Sequence, residues 1–143
     1  MTESTQHGYE FFEHTADIGL RAFGSTREEL FLHAARGLVE LLIEDSPVAS
    51  TESKAIRLQE KSIEELLKRW LKELLFTFHT EHFLPAGCTF DALTDTELRG
   101  SLHGERFDPA KHRQGTEVKG VTSHQFHVQQ TAHGWEASVI FDV

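Results

Sequence analysis

Carboxylates near both ends of the sequence are the groups with the clearest potential for chemistry. Asp17 lies in segment 9–24, YEFFEHTADIGLRAFG, where aromatic and aliphatic residues stand on both sides of it. Burying an unpaired carboxylate is costly, so Asp17 must be solvated, hydrogen-bonded or bound to a cation. A simpler interpretation is that Asp17 caps a turn between two strands, which is a common role of aspartate.

The last two residues offer a second set of oxygen atoms. Asp142 has a side-chain carboxylate and Val143 carries the terminal carboxylate. Hard cations such as Ca²⁺ and Mg²⁺ bind several oxygens that together carry negative charge. If the strand predicted at 135–143 lies beside the strand that follows Asp17, these groups form a cation site at the rim of a sheet. If it does not, Asp17 and Asp142 are two unrelated surface carboxylates.

Four other polar residues could belong to such a site. His14, three residues before Asp17, is predicted to hydrogen-bond near the site rather than to bind the ion directly. His124 and His127 are three positions apart in a predicted strand, so they should lie on opposite faces and not share a zinc ion. Lys119 is either an exposed edge residue that opposes aggregation or a group that reaches a carboxylate or phosphate.

Composition limits the class of protein. The chain has 143 residues, one cysteine and a formal net charge of −9. A single cysteine excludes an intramolecular disulfide, and Cys88 has no matched histidine and aspartate to make it a nucleophile. The negative charge argues against binding of nucleic acid through phosphates. With no signal peptide and no apolar run that could span a bilayer, we expect a soluble cytoplasmic protein.

Hydrophobic patterning predicts the elements that position these residues. One helix should run from Ser25–Thr26 to about Ile43, and a second from Ser62 to between His79 and His82, each with a capping box and an apolar stripe. Segment 104–116 reads as a polar loop. Strands are predicted at 9–13, 18–23, 54–60, 87–93, 96–103, 117–124, 125–131 and 135–143.

These elements predict an α+β fold in a single domain that spans residues 1–143, with residues 1–8 flexible. Two helices should pack on a mostly antiparallel sheet or on a two-sheet sandwich. Trp70 and Phe78, which lie on the apolar stripe of the second helix, are predicted to anchor the core.

Three segments together resemble the archease family: 9–31 with its HTADIG block, 112–124 with Lys119, and the ending WEASVIFDV at 135–143. The resemblance covers almost the whole chain and includes the two helices in the same order. The sequence departs from the family pattern at Gly120, where alanine is usual, and at Ser123, where an aromatic residue is common.

This resemblance implies a function that the composition does not. Archeases are small acidic proteins without established catalysis that activate the RtcB-type RNA ligase, promoting its guanylylation and repeated turnover. By family likeness, Asp17, Asp142 and Val143 hold a divalent cation, expected to be Ca²⁺, and Lys119 is functional. The resemblance also allows a role as chaperone for a tRNA methyltransferase. A competing hypothesis from the residues is a metal-dependent phosphohydrolase that uses His14, Asp17, His124 and Asp142.

Overall fold

The computed structural model describes residues 8–14, 17–44 and 47–143. The prediction that residues 1–8 are flexible falls almost entirely outside this part of the chain. Residues 15 and 16, the middle of the HTAD segment, also lie outside it.

The described chain contains two long helices and nine strands. The helices are α1 (Arg27–Leu42) and α2 (Ile63–Glu81). The strands are β1 (Tyr9–His14), β2 (Asp17–Gly24), β3 (Ile43–Glu44), β4 (Glu52–Gln59), β5 (Phe83–Leu93), β6 (Glu97–Arg106), β7 (Arg113–Gln114), β8 (Gly120–Thr131) and β9 (Gly134–Asp142).

Both helices begin at side-chain caps, as the sequence predicts. The Thr26 hydroxyl accepts a hydrogen bond from the N–H of Glu29 at 3.1 Å. The Glu29 carboxylate in turn accepts from the N–H of Ser25 at 2.9 Å, one residue before the cap. Ser62 caps α2 in the same way, and α2 ends at His82, whose φ of 59° is left-handed. These contacts satisfy backbone groups that a helix end leaves open.

The strands form two main sheets. The terminal sheet has the order β1-β2-β9-β8, so it combines strands from both ends of the chain. The central sheet has the order β4-β6-β5, and β3 pairs separately with β7. All of these pairings are antiparallel. Each helix packs against strands of both main sheets, which confirms the α+β prediction and its two-sheet form.

Trp70 joins the two helices to the central sheet. Its side chain is fully buried, and its indole N–H donates to the carbonyl of Phe31 at 2.9 Å. Its ring contacts the rings of Phe31 on α1 and Phe90 on β5. The prediction that Trp70 anchors the core is therefore confirmed, and Phe78 packs against the same core while partly buried. Close packing of α1 on β2 needs Gly37, because an added Cβ would lie 2.7 Å from Leu20.

Two predicted boundaries in the second half of the chain are wrong. β5 begins at Phe83 rather than Gly87 and includes Pro85. A register shift between Pro85 and Gly87 accommodates the proline on an edge strand, where no N–H is required. The predicted polar loop 104–116 is shorter, because β6 continues to Arg106 and Arg113–Gln114 pairs with β3.

The predictions for 117–131 are also wrong in detail. A single strand, Gly120–Thr131, replaces the two predicted strands, and Lys119 lies just before it rather than inside a strand. The pairing of β8 with β9 is interrupted between Thr122 and His127. Within this interruption, Gln125 has a left-handed φ of 54°. Strand alternation cannot be counted across such a bulge. The argument that placed His124 and His127 on opposite faces therefore does not hold, although both are exposed.

A partly buried carboxylate near the end of β6 organises the segment that follows. Glu105 accepts hydrogen bonds from Lys111 Nζ at 2.8 Å, from the N–H of Ala49 at 2.8 Å and from His112 Nε2 at 2.9 Å. His112 Nδ1 accepts from the N–H of Asp108, so Nε2 is the nitrogen that carries the proton toward Glu105. These bonds, that of Lys111 foremost, lower the pKa of Glu105 to about 2.

This lowered pKa predicts a loss of stability in acid. Because the pKa of Glu105 is lower in the folded chain than in the unfolded chain, its contribution is complete above about pH 4.3 and is lost as the pH falls toward 2. We expect Glu105→Gln to flatten the pH dependence of the urea unfolding midpoint between those values. Glu52→Gln, which removes an exposed carboxylate 3.7 Å from Arg106, should keep the wild-type slope. Equal slopes for wild type and Glu105→Gln would contradict the assignment.

The role of Trp70 gives a second prediction. Trp70→Ala should lower the free energy of unfolding by about 3–5 kcal/mol, because it leaves a large cavity in the core. Phe76→Ala on the same helix is the matched control: that side chain is 61% exposed, and its loss should cost no more than about 0.5 kcal/mol. Chemical denaturation measures both. Similar losses for the two variants would show that Trp70 does not anchor the core.

A candidate cation site at the end of the terminal sheet

Strand register brings the predicted site residues into one row. β1 pairs with β2 so that His14 faces Asp17, and β2 pairs with β9 so that Asp17 faces Asp142. β8 continues the row, with Gly120 facing Asp142. The strand adjacency on which the cation hypothesis depends is thus present. We call Asp17, Asp142 and Val143 the acidic tip.

Two carboxylates on directly opposed positions repel each other. Asp17 is partly buried and Asp142 is exposed. Like charges placed directly across a strand pair destabilise a sheet unless another group offsets them. A hard divalent cation fits this donor set, because the set consists of oxygen atoms and carries negative charge. The metal role of these residues stays a prediction.

Backbone hydrogen bonding brings Lys119 to the acidic tip. The N–H of Lys119 donates to the carbonyl oxygen of Asp142 at 2.7 Å, which fixes Lys119 beside the end of β9. Lys119 is exposed, and Val143, next in the chain after Asp142, is partly buried. The backbone of Lys119 and the residue Val143 therefore both adjoin Asp142 at the end of β9.

The two histidines predicted near the site are placed differently. The backbone of His14 ends β1 opposite Asp17, which puts this residue in the cross-strand row. His124 instead lies within the bulge of β8, and its N–H donates to the Thr122 hydroxyl at 3.2 Å. His124 is therefore outside the row.

An apolar layer on the outer face of the terminal sheet supports the acidic tip. The ring of Phe12 lies over Gly19, where an added Cβ would be 2.2 Å from the ring. Gly19 faces Ile140, which is fully buried although it lies outside the main core. The guanidinium of Arg21 stacks 4.4 Å from the centre of the Phe12 ring and pairs with Glu10 at 3.1 Å. A shift of register would break these contacts, so they hold Asp17 opposite Asp142.

Sequence reasoning missed this layer. Strict alternation along WEASVIFDV puts Ile140 on the same face as the polar residues Glu136, Ser138 and Asp142, and no local pattern gives Gly19 a role. The available signal was a glycine between Ile18 and Leu20 in an apolar strand, which often marks a close approach of another group.

The described clefts lie elsewhere. One of about 630 Å³ is lined by Tyr9, Arg36, Glu40 and residues around them, and one of about 440 Å³ includes His33 and Trp135. Neither is lined by Asp17, His124 or Asp142, so these two clefts give no support to the phosphohydrolase hypothesis.

Three further observations bear on chemistry. Burial raises the pKa of the Cys88 thiol to about 12, which keeps it protonated and poorly nucleophilic. Within 8–14, 17–44 and 47–143, no three His, Cys, Asp or Glu side chains group in a way that could hold a metal ion. No helix in the described part of the chain is long and apolar enough to cross a lipid bilayer.

The opposed carboxylates give a testable prediction about cations. Without divalent ions, Asp142→Asn should raise the free energy of unfolding by about 0.5 kcal/mol, because it removes a like-charge pair. With Ca²⁺, wild type should gain thermal stability as the concentration rises, whereas Asp142→Asn should gain much less. Thermal unfolding in chelator and in Ca²⁺ measures both effects.

Asp91→Asn is the matched control, since Asp91 is an exposed aspartate on β5 of the central sheet. It should respond to Ca²⁺ as wild type does. An equal Ca²⁺ response of wild type and Asp142→Asn would rule out a cation at the acidic tip.

Comparisons with known proteins agree with this arrangement. The model of the Archease protein family (MTH1598/TM1083) matches residues 9–143. The chain is 33% identical over 139 residues to the protein archease of Methanosarcina mazei, covering 94% of this chain and 95% of that protein. It is 37% identical over 138 residues to the protein archease of Saccharolobus islandicus, covering 94% and 98%.

Two solved structures have the same fold. The solution structure of Methanobacterium thermoautotrophicum protein 1598 superposes with a TM-score of 0.79 at 32% identity and covers 96% of this chain and 99% of that one. The crystal structure of a Thermotoga maritima protein, described as an archease and possible chaperone, gives a TM-score of 0.65 at 22% identity, covering 92% and 94%. The resemblance seen in the sequence is confirmed, and this chain belongs to the archease family.

Proposed function

We propose that this protein is a non-catalytic activator of an RtcB-type RNA ligase, acting in tRNA splicing and RNA repair. It promotes transfer of GMP to the ligase and repeated turnover. The observation that carries the proposal is the cross-strand placement of Asp17 and Asp142 beside Lys119. Asp17 and Asp142 match positions to which the family resemblance assigns a metal site, and Lys119 matches the family's lysine.

A divalent cation, which we propose to be Ca²⁺, is held by Asp17, Asp142 and Val143. All the donors are oxygens, and a flexible oxygen-rich site suits Ca²⁺. When bound, the ion supplies positive charge at a surface that is otherwise acidic. Without that ion, Asp17 and Asp142 repel any other anionic group that approaches them.

We propose that the acidic tip contacts the active site of the partner ligase. Asp17 and Asp142 approach the site where the ligase handles metal and nucleotide, and they help to organise metal there. Lys119, exposed and held beside β9, offsets phosphate charge. The net charge of −9 suits a protein that docks on a basic RNA enzyme rather than one that binds RNA itself. This role is cytoplasmic.

A second candidate is a chaperone for a tRNA methyltransferase. It is favoured by the description of the Thermotoga maritima protein, which shares this fold, as a possible chaperone. This role predicts binding to the methyltransferase in the absence of any ligase. It does not require the carboxylates of the acidic tip.

Single-turnover guanylylation of the cognate ligase, with GTP and divalent metal, tests the proposal. Adding this protein should increase the rate by at least about tenfold, which corresponds to about 1.4 kcal/mol of barrier. Asp17→Ala and Asp142→Ala should each remove most of the increase, and Lys119→Ala should reduce it.

Asp91→Ala serves as the control, because Asp91 is exposed on the central sheet. Circular dichroism and thermal unfolding should show that each variant is folded. If Asp17→Ala and Asp142→Ala are folded and still stimulate guanylylation as much as wild type does, the acidic tip has no role in activation. No stimulation by the wild-type protein, with the ligase active alone, would favour the chaperone role, and methyltransferase pull-down would follow.

A further inference from the structure

The central sheet has an open, regular edge at β4. The N–H of Glu60 donates to the carbonyl of Thr96 at 2.9 Å, just beyond the pairing of Gln59 with Glu97. On the other side of β6, the N–H of Phe107 donates to the carbonyl of His82 at 2.7 Å. Even-numbered residues of β6 therefore bond toward β4, and odd-numbered residues bond toward β5.

This alternation leaves a row of backbone groups unused on β4. The N–H and C=O groups of Ser53, Ala55, Arg57 and Gln59 point away from β6, and no hydrogen bond to them exists within the described part of the chain. The same four residues have exposed side chains on the outer face of the sheet, whereas Ile56 and Leu58 are buried beneath it.

The other edge of the central sheet is protected, which makes β4 distinctive. β5 contains Pro85 and has register shifts at Pro85/Gly87 and at Phe90/Ala92. Prolines and bulges are the usual means of preventing a strand from pairing further. β4 pairs with β6 without a register shift from Glu52 to Gln59 and contains no proline.

The side chains on this edge favour an incoming strand that carries negative charge. Arg57 faces Arg99 directly across the β4–β6 pair. Arg99 pairs with Glu97 at 3.0 Å, but no acidic side chain in the described ranges pairs with Arg57. Like charges placed directly opposite destabilise a strand pair, and a carboxylate on an added strand beside Arg57 relieves this repulsion.

We propose that β4 is a docking edge for an extended acidic segment of a partner protein, which adds as a fourth strand to the central sheet. The backbone groups of Ser53, Ala55, Arg57 and Gln59 bind its main chain, and Arg57 selects an acidic side chain at the facing position. Strand addition of this kind takes affinity from backbone bonds and specificity from alternate side chains. A second copy of this chain fits less well, because it brings another basic β4 edge to Arg57.

This docking edge is independent of the proposed function, because the central sheet shares no strand with the terminal sheet that carries the acidic tip. A negative result for either surface therefore leaves the other intact.

The test uses the full chain labelled with ¹⁵N and three probes. The first is a short blocked peptide in which glutamate alternates with threonine. The second has the same sequence with its edge-facing amides N-methylated, and the third has lysine in place of glutamate. We expect the first peptide alone to give saturable shifts and slower hydrogen exchange at Ser53, Ala55, Arg57 and Gln59.

Two substitutions separate the backbone contribution from the charge. Ala55→Pro removes an N–H that has no intramolecular partner, so the protein should fold and lose binding of the first peptide. Arg57→Glu should weaken that binding by at least about tenfold, because it replaces the attraction by repulsion. Lys72→Glu, the same charge change at an exposed position on α2, should keep the affinity within about twofold.

Several results would overturn the proposal. Equal binding of the N-methylated peptide would show that charge alone attracts it. Stronger binding of a single-stranded oligoribonucleotide at Arg57 would assign the face to nucleic acid. Self-association through β4, seen by sedimentation, would assign it to a second copy of this chain. Absence of binding by the first peptide would leave Arg57 as a residue that only protects an edge.

Discussion

The antiparallel pairing of β2 with β9 is the contact on which the rest of the molecule depends. It places strands from the two ends of the chain at the centre of the terminal sheet, and β1 and β8 join on either side. α1 packs on β2 through the close approach at Gly37, and the register of the pair sets Asp17 opposite Asp142. A shift by one residue would turn Leu20 and Val139 out of the core and separate the two carboxylates.

Because the register of β2 and β9 is fixed, the terminal sheet keeps an unfavourable pair of carboxylates at its end. The opposed aspartates weaken the pairing of β2 with β9 locally. The outer layer of Phe12, Gly19 and Ile140 stabilises the same pair two residues further along each strand. The two strands therefore stay paired although their aspartates repel each other. The two aspartates therefore stay opposite each other in a geometry that the strand pairing sets.

Much of the fold follows from local signals in the sequence. Both helices and their caps at Thr26 and Ser62 could be predicted, because periodicity and capping depend only on neighbouring residues. Strict alternation in 135–143 predicted β9, and the acidic residues at the two ends suggested the acidic tip. The resemblance to a family then linked those residues to a function.

What could not be predicted depends on contacts between distant segments. The early start of β5 at Phe83 needs the pairing with β6 to accommodate Pro85. The bulge in β8 has no local signature, because Gln125 adopts a left-handed backbone without being glycine. Ile140 reads as a mismatch on a polar face until Phe12 and Gly19 are placed beside it. The like-charged pair of Arg57 and Arg99 likewise appears only once the register of β4 is known.

The order of strands in the terminal sheet has a consequence for synthesis of the protein. β2 precedes both helices and the central sheet in the sequence, whereas its partner β9 follows all of them. Until β9 emerges, β2 has one exposed edge and an unpaired row of amides, while the helices and the central sheet can already form from nearby segments. Pairing between remote segments is slow and leaves edges open to aggregation. Asp17 therefore faces Asp142 only after β9 has been synthesised and has paired with β2.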